Sequence, residues 1–145
     1  MNYTELLTVP GEAGIFMQPA DADELWVAAD RAGLARWRVD LANVRRKADL
    51  MQTFRQTLNF TEGFGANWDA LNDALVERAL DEPAGVMLTL ENCGEFARGD
   101  GEAFELLLEV LDAVAESCYD EDIAFWVFVD GIAAEEFDLP MLDDE

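Results

Sequence analysis

The amino-acid sequence predicts an α/β fold with a parallel sheet, and three features indicate it. Segments with the apolar spacing of strands and of helices follow one another in the order β-α-β-α-α-β-α-β, which favours parallel strands joined by helical crossovers. Two strand segments, Val86–Leu90 and Ile123–Val129, are almost wholly apolar, as expected of strands buried on both faces. The chain has 145 residues, of which 51% are hydrophobic, enough for one domain with a sizeable core.

The first part of the chain is predicted to form a β-α unit followed by a second strand and helix. Gly14–Gln18 is a short apolar run, and Asp21–Ala32 has helical apolar spacing, with Asp21 as the expected N-cap. Gly33 suits the residue that follows the end of a helix. Trp37–Leu41 alternates apolar and polar residues as a strand does, and Val44–Leu58 has the spacing of an amphipathic helix.

The second part of the chain is predicted to contain two helices, one before the first apolar strand and one between the two apolar strands. Phe60–Gly65 contains two glycines and is predicted to be a loop, after which Asn67 is the expected N-cap of a helix over Trp68–Leu80. Between the apolar strands, Arg98–Gly101 is predicted to be a turn and Glu102–Ala115 a long helix.

The charge of the chain is strongly acidic and unevenly placed. There are 32 acidic and 9 basic side chains and no histidine, for a formal charge of −23. Residues 1–55 hold 8 acidic and 7 basic side chains, whereas residues 56–145 hold 24 and 2 and end in an acidic tail over Gly131–Glu145. A general acidic bias would affect both parts alike. The uneven charge therefore suggests a basic macromolecular partner and disfavours contact with nucleic acid or an anionic membrane.

The residue types that are missing exclude several kinds of site. Without histidine there is no His general base, no Ser-His-Asp or Cys-His pair and no His-bearing metal site. No glycine motif for nucleotides follows a predicted strand, and Asp120-Glu121-Asp122 lacks the spacing of a calcium loop. We therefore expect no catalytic residue, no metal ligand and no cofactor. A carboxylate-dependent hydrolase that uses Asp69 and Asp73 is the remaining enzymatic alternative.

The N-terminal sequence and the cysteines bear on the compartment. Met1–Pro10 contains Glu5 and no basic residue, unlike a secretory signal, and no apolar run approaches about 18–20 residues. We therefore expect a cytoplasmic protein in which Cys93 and Cys118 are free thiols. The sequence leaves the oligomeric state open, with a monomer favoured.

The acidic helix that follows the glycine loop is the most informative motif. On a helix, Asp69, Asp73 and Glu77 share the outer face and span about 12 Å. Three apolar residues face inward: Trp68, Leu71 and Leu75. Like charges four residues apart destabilise a helix by roughly 0.2–0.5 kcal/mol per pair, so folding alone would favour alternating signs. The stripe is either a solvated face of an acidic protein or a surface for a basic partner.

Around this helix the chain resembles the barstar family, the intracellular inhibitors of barnase-like ribonucleases. The resemblance rests on Phe64-Gly65-x-Asn67-x-Asp69-Ala70-Leu71-x-Asp73, which matches the family's binding loop and helix in residue type and spacing. It extends over roughly residues 36–130, where three predicted strands follow in the family's order. The resemblance implies a parallel sheet of three strands packed with helices. Residues 1–35 would add a β-α unit to this single domain of residues 1–130, with residues 131–145 as the tail.

The resemblance also implies roles for individual residues. Asp73 would be the main anchor carboxylate in a nuclease active site, and Asp69 a second contact, both mimicking substrate phosphates. Phe64 and Gly65 would cover the mouth of that active site, and Asn67 would act mainly as a helix cap. The full set expected to bind the partner is Phe64, Gly65, Asn67, Asp69, Asn72, Asp73 and Glu77.

Three departures from the family pattern leave the target enzyme open. Gly63 stands where many members have an aromatic residue, and Asn72 where a tryptophan is often found. A carboxylate that some members carry on the last helix falls near Ala113, where Glu109 or Asp112 could replace it. The expected function is inhibition of a small basic ribonuclease, as an immunity protein. The alternative is an acidic nucleic-acid mimic or adaptor that binds a basic partner without inhibiting a nuclease.

Overall fold

The computed structural model describes residues 2–61 and 65–142. Within these ranges the chain forms four strands: β1 (Ile15–Met17), β2 (Ala35–Asp40), β3 (Val86–Glu91) and β4 (Phe125–Val129). The α-helices are α1 (Tyr3–Leu6), α2 (Ala22–Ala32), α3 (Lys47–Thr57), α4 (Trp68–Ala79), α5 (Gly94–Gly99), α6 (Gly101–Asp120) and α7 (Ala134–Phe137). Among the described residues, no helix is long and apolar enough to cross a membrane.

The four strands form one parallel sheet in the order β1-β4-β3-β2. This confirms the predicted parallel α/β architecture, and the N-terminal unit supplies the fourth strand next to β4. A C-terminal segment covers the edge at β1, because Met17 forms a parallel bridge with Met141 and its amide donates to the Pro140 carbonyl at 2.9 Å. That segment and α7 both lie within the residues predicted as an acidic tail. The other edge of the sheet is β2.

The sheet is covered on both faces, so the molecule has three layers. Helices α3 to α6 bury one face, where β3 and β4 contribute Leu88, Val127 and their neighbours. Helices α1 and α2 cover the other face, on which Trp126 packs with Leu25 of α2. The Trp126 indole also donates to the Leu7 carbonyl at 3.1 Å. The N-terminal unit is therefore a packed layer of the structure, and β3 and β4 are buried on both faces as predicted.

The connection between β3 and β4 differs from the prediction of a turn at Arg98–Gly101. Residues 94–99 form helix α5, whose Phe96 and Ala97 are buried, and Asp100 alone separates it from α6. The Asp100 side chain accepts a hydrogen bond from the Ala103 amide at 3.1 Å, so α6 begins at Gly101 and continues to Asp120. The prediction was wrong because the glycines and the acidic cap have the composition of a turn, while burial of the apolar residues stabilises a helix.

The ends of the other helices show which local signals were sufficient. Gly33 adopts φ 79° after α2, as predicted for a residue that ends a helix. Helix α3 begins at Lys47, three residues later than predicted, and has no side-chain cap. Asp21 occupies the N-cap position of α2, as predicted, but its side chain makes no capping hydrogen bond. Its carboxylate accepts the Tyr3 hydroxyl at 2.8 Å instead, so a tertiary hydrogen bond replaces the local one.

Candidate partner-binding site

The candidate site begins where the loop ending at residue 67 meets helix α4. The Asn67 side-chain oxygen accepts the Ala70 amide at 2.8 Å, which confirms Asn67 as the N-cap of α4. The amide group of the same side chain donates to the Gly65 carbonyl at 3.4 Å. Ala66, between them, has φ 52°, a left-handed conformation that costs about 1–2 kcal/mol in a non-glycine residue. Asn67 therefore joins the end of the loop to the first turn of the helix.

Helix α4 presents its acidic stripe to solvent. Asp69, Asp73 and Glu77 are exposed, whereas Leu71 and Leu75 on the opposite side are fully buried. This confirms the predicted orientation of the helix. In the described part of the chain, none of the three carboxylates makes an ion pair or a side-chain hydrogen bond. Their charge is therefore exposed to solvent and available to a partner.

Trp68 lies half-buried at the first residue of α4. The Lys47 ammonium, at the first residue of α3, sits 5.5 Å from the centre of the indole ring. Such a cation over an aromatic face is worth about 0.5–1 kcal/mol at an exposed site. The contact ties the start of α4 to the start of α3. It also puts one positive charge close to the beginning of the acidic stripe.

A groove of about 380 Å³ runs along one side of α4. Asp73, Glu77 and Asp81 line it at intervals of four residues, and Gly65 lies at its rim, whereas Asp69 does not reach it. The structure therefore places Asp73 and Glu77 on the wall of the groove. Asp69, in the first turn of the helix, lies outside the groove. Asp81 was missed by sequence reasoning, although the four-residue spacing of acidic residues continues to it beyond the end of the helix.

Arg78 is a second residue that sequence reasoning missed. Its guanidinium donates to the Leu58 carbonyl at the end of α3, so α4 is attached to the start of the loop as well as to its end. The Phe60 amide donates to the Arg55 carbonyl at 3.0 Å and continues that attachment. Arg78 also places a positive charge between Glu77 and Asp81 on the wall of the groove.

The remaining residues of the predicted site lie outside the described ranges, are half-buried, or lie away from the groove on α4. Phe64, like Gly63, lies outside the described residues. Asn72 is half-buried, and its side-chain oxygen is buried without a hydrogen-bond partner in the part of the chain that is described. On α6, Glu109 and Asp112 are both exposed, but Asp112 lines a different groove, together with Pro10. Asp112 therefore faces the N-terminal segment.

The geometry gives no support to hydrolysis by Asp69 and Asp73. A pair of carboxylates acts as acid and base when their environments push the two pKa values apart, usually across a cleft. Here both side chains are exposed on one helix, and a single one of them lines the groove. Among residues 2–61 and 65–142, no group of three or more His, Cys, Asp or Glu side chains could hold a metal ion.

Comparison with models of known protein families identifies the family to which the candidate site belongs. The family model described as Barstar (barnase inhibitor) matches residues 34–130, which is about two thirds of the chain. The matched range includes β2, β3 and β4, the loop and the whole of α4, while the N-terminal unit lies outside it. A search of the curated proteins found no match.

Proposed function

This chain belongs to the barstar family, and we propose that it inhibits a small basic ribonuclease by filling the active site with one face of α4 and the preceding loop. The observation that carries the proposal is the exposed pair Asp69 and Asp73, one turn apart on a helix that begins directly after the loop. Members of this family are inhibitors rather than enzymes, in keeping with a site whose main proposed contacts are the two carboxylates Asp69 and Asp73.

The chemistry of the proposed site is phosphate mimicry. A ribonuclease holds the phosphates of its substrate with cationic side chains, and an aspartate carboxylate accepts paired hydrogen bonds from arginine much as a phosphate does. Asp69 and Asp73 are about 6 Å apart along the helix axis, a spacing that lets two carboxylates meet separate cations. Because neither has a partner among residues 2–61 and 65–142, binding exchanges contacts with water for contacts with the enzyme.

The rest of the acidic surface has a different proposed role. Residues 56–145 carry 24 acidic and 2 basic side chains, far more charge than two contacts need. Such a field accelerates encounter with a basic partner and is screened beyond roughly 8 Å at physiological salt. Glu77 and Glu82 belong to this surrounding acidic surface. We expect them to affect the association rate more than the dissociation rate. We infer a one-to-one complex formed by a monomer in the cytoplasm, as an immunity protein.

The proposal is tested by measuring binding and inhibition across a panel of small basic ribonucleases that includes barnase. Asp73→Ala should weaken binding by several kcal/mol, mainly through faster dissociation, because it leaves desolvated cations of the enzyme unpaired. In the barnase–barstar complex, close charge pairs are coupled by about 1.5–7 kcal/mol, a value that belongs to that complex. Asp23→Ala, an equal change of charge at an exposed position of α2, should have little effect.

Two outcomes would contradict the proposal. One is that no ribonuclease of the panel is inhibited. The other is that the Asp69→Ala/Asp73→Ala double variant inhibits as well as the unmodified chain. A further variant, Asp73→Glu, separates site recognition from attraction by total charge. Recognition at a fixed position predicts a large loss of affinity from the longer side chain. An acidic mimic that responds to overall charge predicts almost no loss and a steep dependence on salt.

A further inference from the structure

The two edges of the sheet differ in charge. The strand at one edge, β2, carries Arg36, Arg38 and Asp40, and charged side chains discourage an edge strand from pairing with another chain. The strand at the other edge, β1, is apolar throughout, and its neighbours Gly14 and Gln18 are uncharged as well. Apolar, uncharged edge strands are the ones that pair with further copies of a chain. The β1 edge therefore needs a protection that its own residues do not supply.

The outer side of β1 presents the backbone groups of Ile15 and Met17. The Gln18 amide donates to the Val129 carbonyl of β4 at 2.9 Å, so the even-numbered residues bond to β4. In a parallel pair, alternate residues direct their backbone groups to opposite sides. The Met17 amide accordingly points away from β4, where it donates to the Pro140 carbonyl at 2.9 Å.

The segment that follows α7 crosses this edge from one face of the sheet to the other. Leu139 packs against the core on the face covered by α3 to α6, and Leu142 packs against the core on the face covered by α1 and α2. Between them, Met141 forms the bridge with Met17. Phe137 fixes α7, because its ring meets an aromatic ring of α6 edge-on, at 4.8 Å between centroids. One backbone bridge and two leucine contacts thus hold the segment across β1.

We propose that residues 138–142 form a strap that closes the β1 edge and keeps the sheet from pairing with a second copy of the chain. When the strap is displaced, the outward groups of Ile15 and Met17 accept the β1 strand of the second copy, in the two-fold arrangement common in homodimers. The formal charge of −23 opposes this contact, so added salt favours it. The proposal does not rest on ribonuclease inhibition, because it involves no residue of α4.

The experiment compares the full chain with two shortened forms, residues 1–137 and residues 1–142, by light scattering at rising protein concentration. The form 1–137 lacks the strap and keeps α7. The form 1–142 keeps the strap, although it has lost three of the four acidic residues that 1–137 loses. We expect 1–137 to form dimers, more strongly in about 1 M salt than in about 0.15 M salt. The mass of the full chain and of 1–142 should not rise with concentration.

Met17→Pro in the form 1–137 makes the test specific to the edge. Proline removes the outward amide and is tolerated on the outer side of an edge strand, so this variant should return to the mass of a monomer. Association that persists undiminished in Met17→Pro would overturn the proposal, because exposed apolar surface would then be responsible. A form 1–137 that stays folded and monomeric up to about 1 mM would overturn it as well.

A full-length variant decides the question if 1–137 does not fold. Leu139→Asp/Leu142→Asp places a charge at each contact that holds the strap, and amide exchange at Met17, followed by NMR, reports its release. We expect this exchange to become at least about tenfold faster in dilute protein, with association at high concentration in about 1 M salt. Gln52→Asp/Gln56→Asp, an equal change of charge at exposed positions of α3, should alter it by less than about twofold. Unchanged exchange at Met17 in the leucine variant, or release of the strap without association, would overturn the proposal.

Discussion

At the scale of single residues, Asn92 connects the ends of three neighbouring strands. Its side-chain amide donates to the Asp40 carboxylate at 2.9 Å, and its backbone amide donates to the Asp130 carboxylate at 2.6 Å. Asp40 also accepts the Ala42 amide at 3.0 Å. The hydrogen bond from Asn92, followed by that from Ala42, lowers the pKa of Asp40. Asn92 has φ 56°, a left-handed conformation that asparagine tolerates better than most residues.

The first prediction concerns this link. Asn92→Gly removes the side-chain donor but keeps a residue that accepts positive φ, so we expect the pKa of Asp40 to rise toward its ordinary value. Because the folded pKa is lowered, the contribution of Asp40 to stability is present above its unfolded pKa and is lost as the pH falls through the folded pKa. The variant should therefore lose stability at neutral pH and converge with the unmodified chain in acid.

The measurements for this prediction are an NMR titration of the Asp40 carboxyl group and urea unfolding at neutral and acid pH. Asn92→Ala serves as the matched variant, because it also lacks the donor but adds strain at positive φ. An unchanged pKa of Asp40 in both variants would contradict the assignment of the pKa shift to Asn92.

The cysteines illustrate a residue-scale prediction that the structure confirms. Cys93 and Cys118 are both free and buried. Burial raises the pKa of Cys118 to about 11, and burial together with nearby Asp130 raises that of Cys93 further. Both side chains are therefore protonated at neutral pH and act as small apolar residues of the core.

At the scale of elements, the start of α4 decides how the proposed binding surface is held. Asn67 caps the helix and contacts Gly65, so one side chain supports both the loop and the first turn. An added Cβ at Gly65 would lie 3.3 Å from the Asn67 side-chain nitrogen and 3.5 Å from the Cβ of Ala70. The loop therefore approaches the helix closely at this point, and a side chain at Gly65 would require the Asn67 amide group to shift by a few tenths of an ångström.

The second prediction tests this cap. Asn67→Ala should lower the free energy of unfolding by about 1 kcal/mol, because the Ala70 amide loses its acceptor, and Asn67→Ser should restore most of the loss. Thermal or urea unfolding measures the change. Asn43→Ala, at an exposed asparagine before α3, is the matched control and should change stability by less than about 0.5 kcal/mol. Equal effects at the two positions would show that Asn67 is not a significant cap.

Element by element, sequence patterns predicted most of this architecture and failed where tertiary contacts compete. The four strands and helices α2, α3, α4 and α6 follow from apolar spacing. Along each of them, the apolar residues recur with the period of a strand or a helix, and the structure buries those residues. Helix α1 and helix α5 were not predicted, because short helices carry little periodicity and depend on packing against the rest of the chain.

In the candidate site, the outward direction of Asp69 and Asp73 was predictable from their spacing in the sequence. The groove shared by Glu77 and Asp81 was not predictable, because its other wall comes from Asn59, Phe60 and Thr61, which follow α3.

At the scale of the whole molecule, the N-terminal unit is part of the sheet's packing. The family match begins at residue 34, yet Met87, Trp126 and Phe128 of the matched range are buried against α1 and α2. Phe16 of β1 also packs on the rings of Trp126 and Phe128, at 5.8 and 6.1 Å between centroids. A domain cut at the family boundary would expose this apolar face to water.

The third prediction follows from that packing. A chain of residues 34–145 should be unable to remain both folded and monomeric, because the sheet face that carries Trp126 loses its cover. Size-exclusion chromatography, circular dichroism and binding of a hydrophobic dye measure this. Leu25→Ala in the full chain is the milder companion and should cost about 2–5 kcal/mol of unfolding free energy, since Leu25 is fully buried in this layer. A stable monomer of residues 34–145 would show that the unit is dispensable.

The sequence by itself determined the alternation of strands and helices, the cap at Asn67, the acidic face of α4 and the surplus of charge after residue 55. These features depend on local spacing, capping and composition, which are readable along a single chain. The tertiary structure alone decided that β1 lies next to β4, that the C-terminal segment covers the β1 edge, and that β2 forms the opposite edge of the sheet. Such arrangements depend on pairing between residues far apart in sequence, and the local pattern of each segment is the same whichever neighbour it meets.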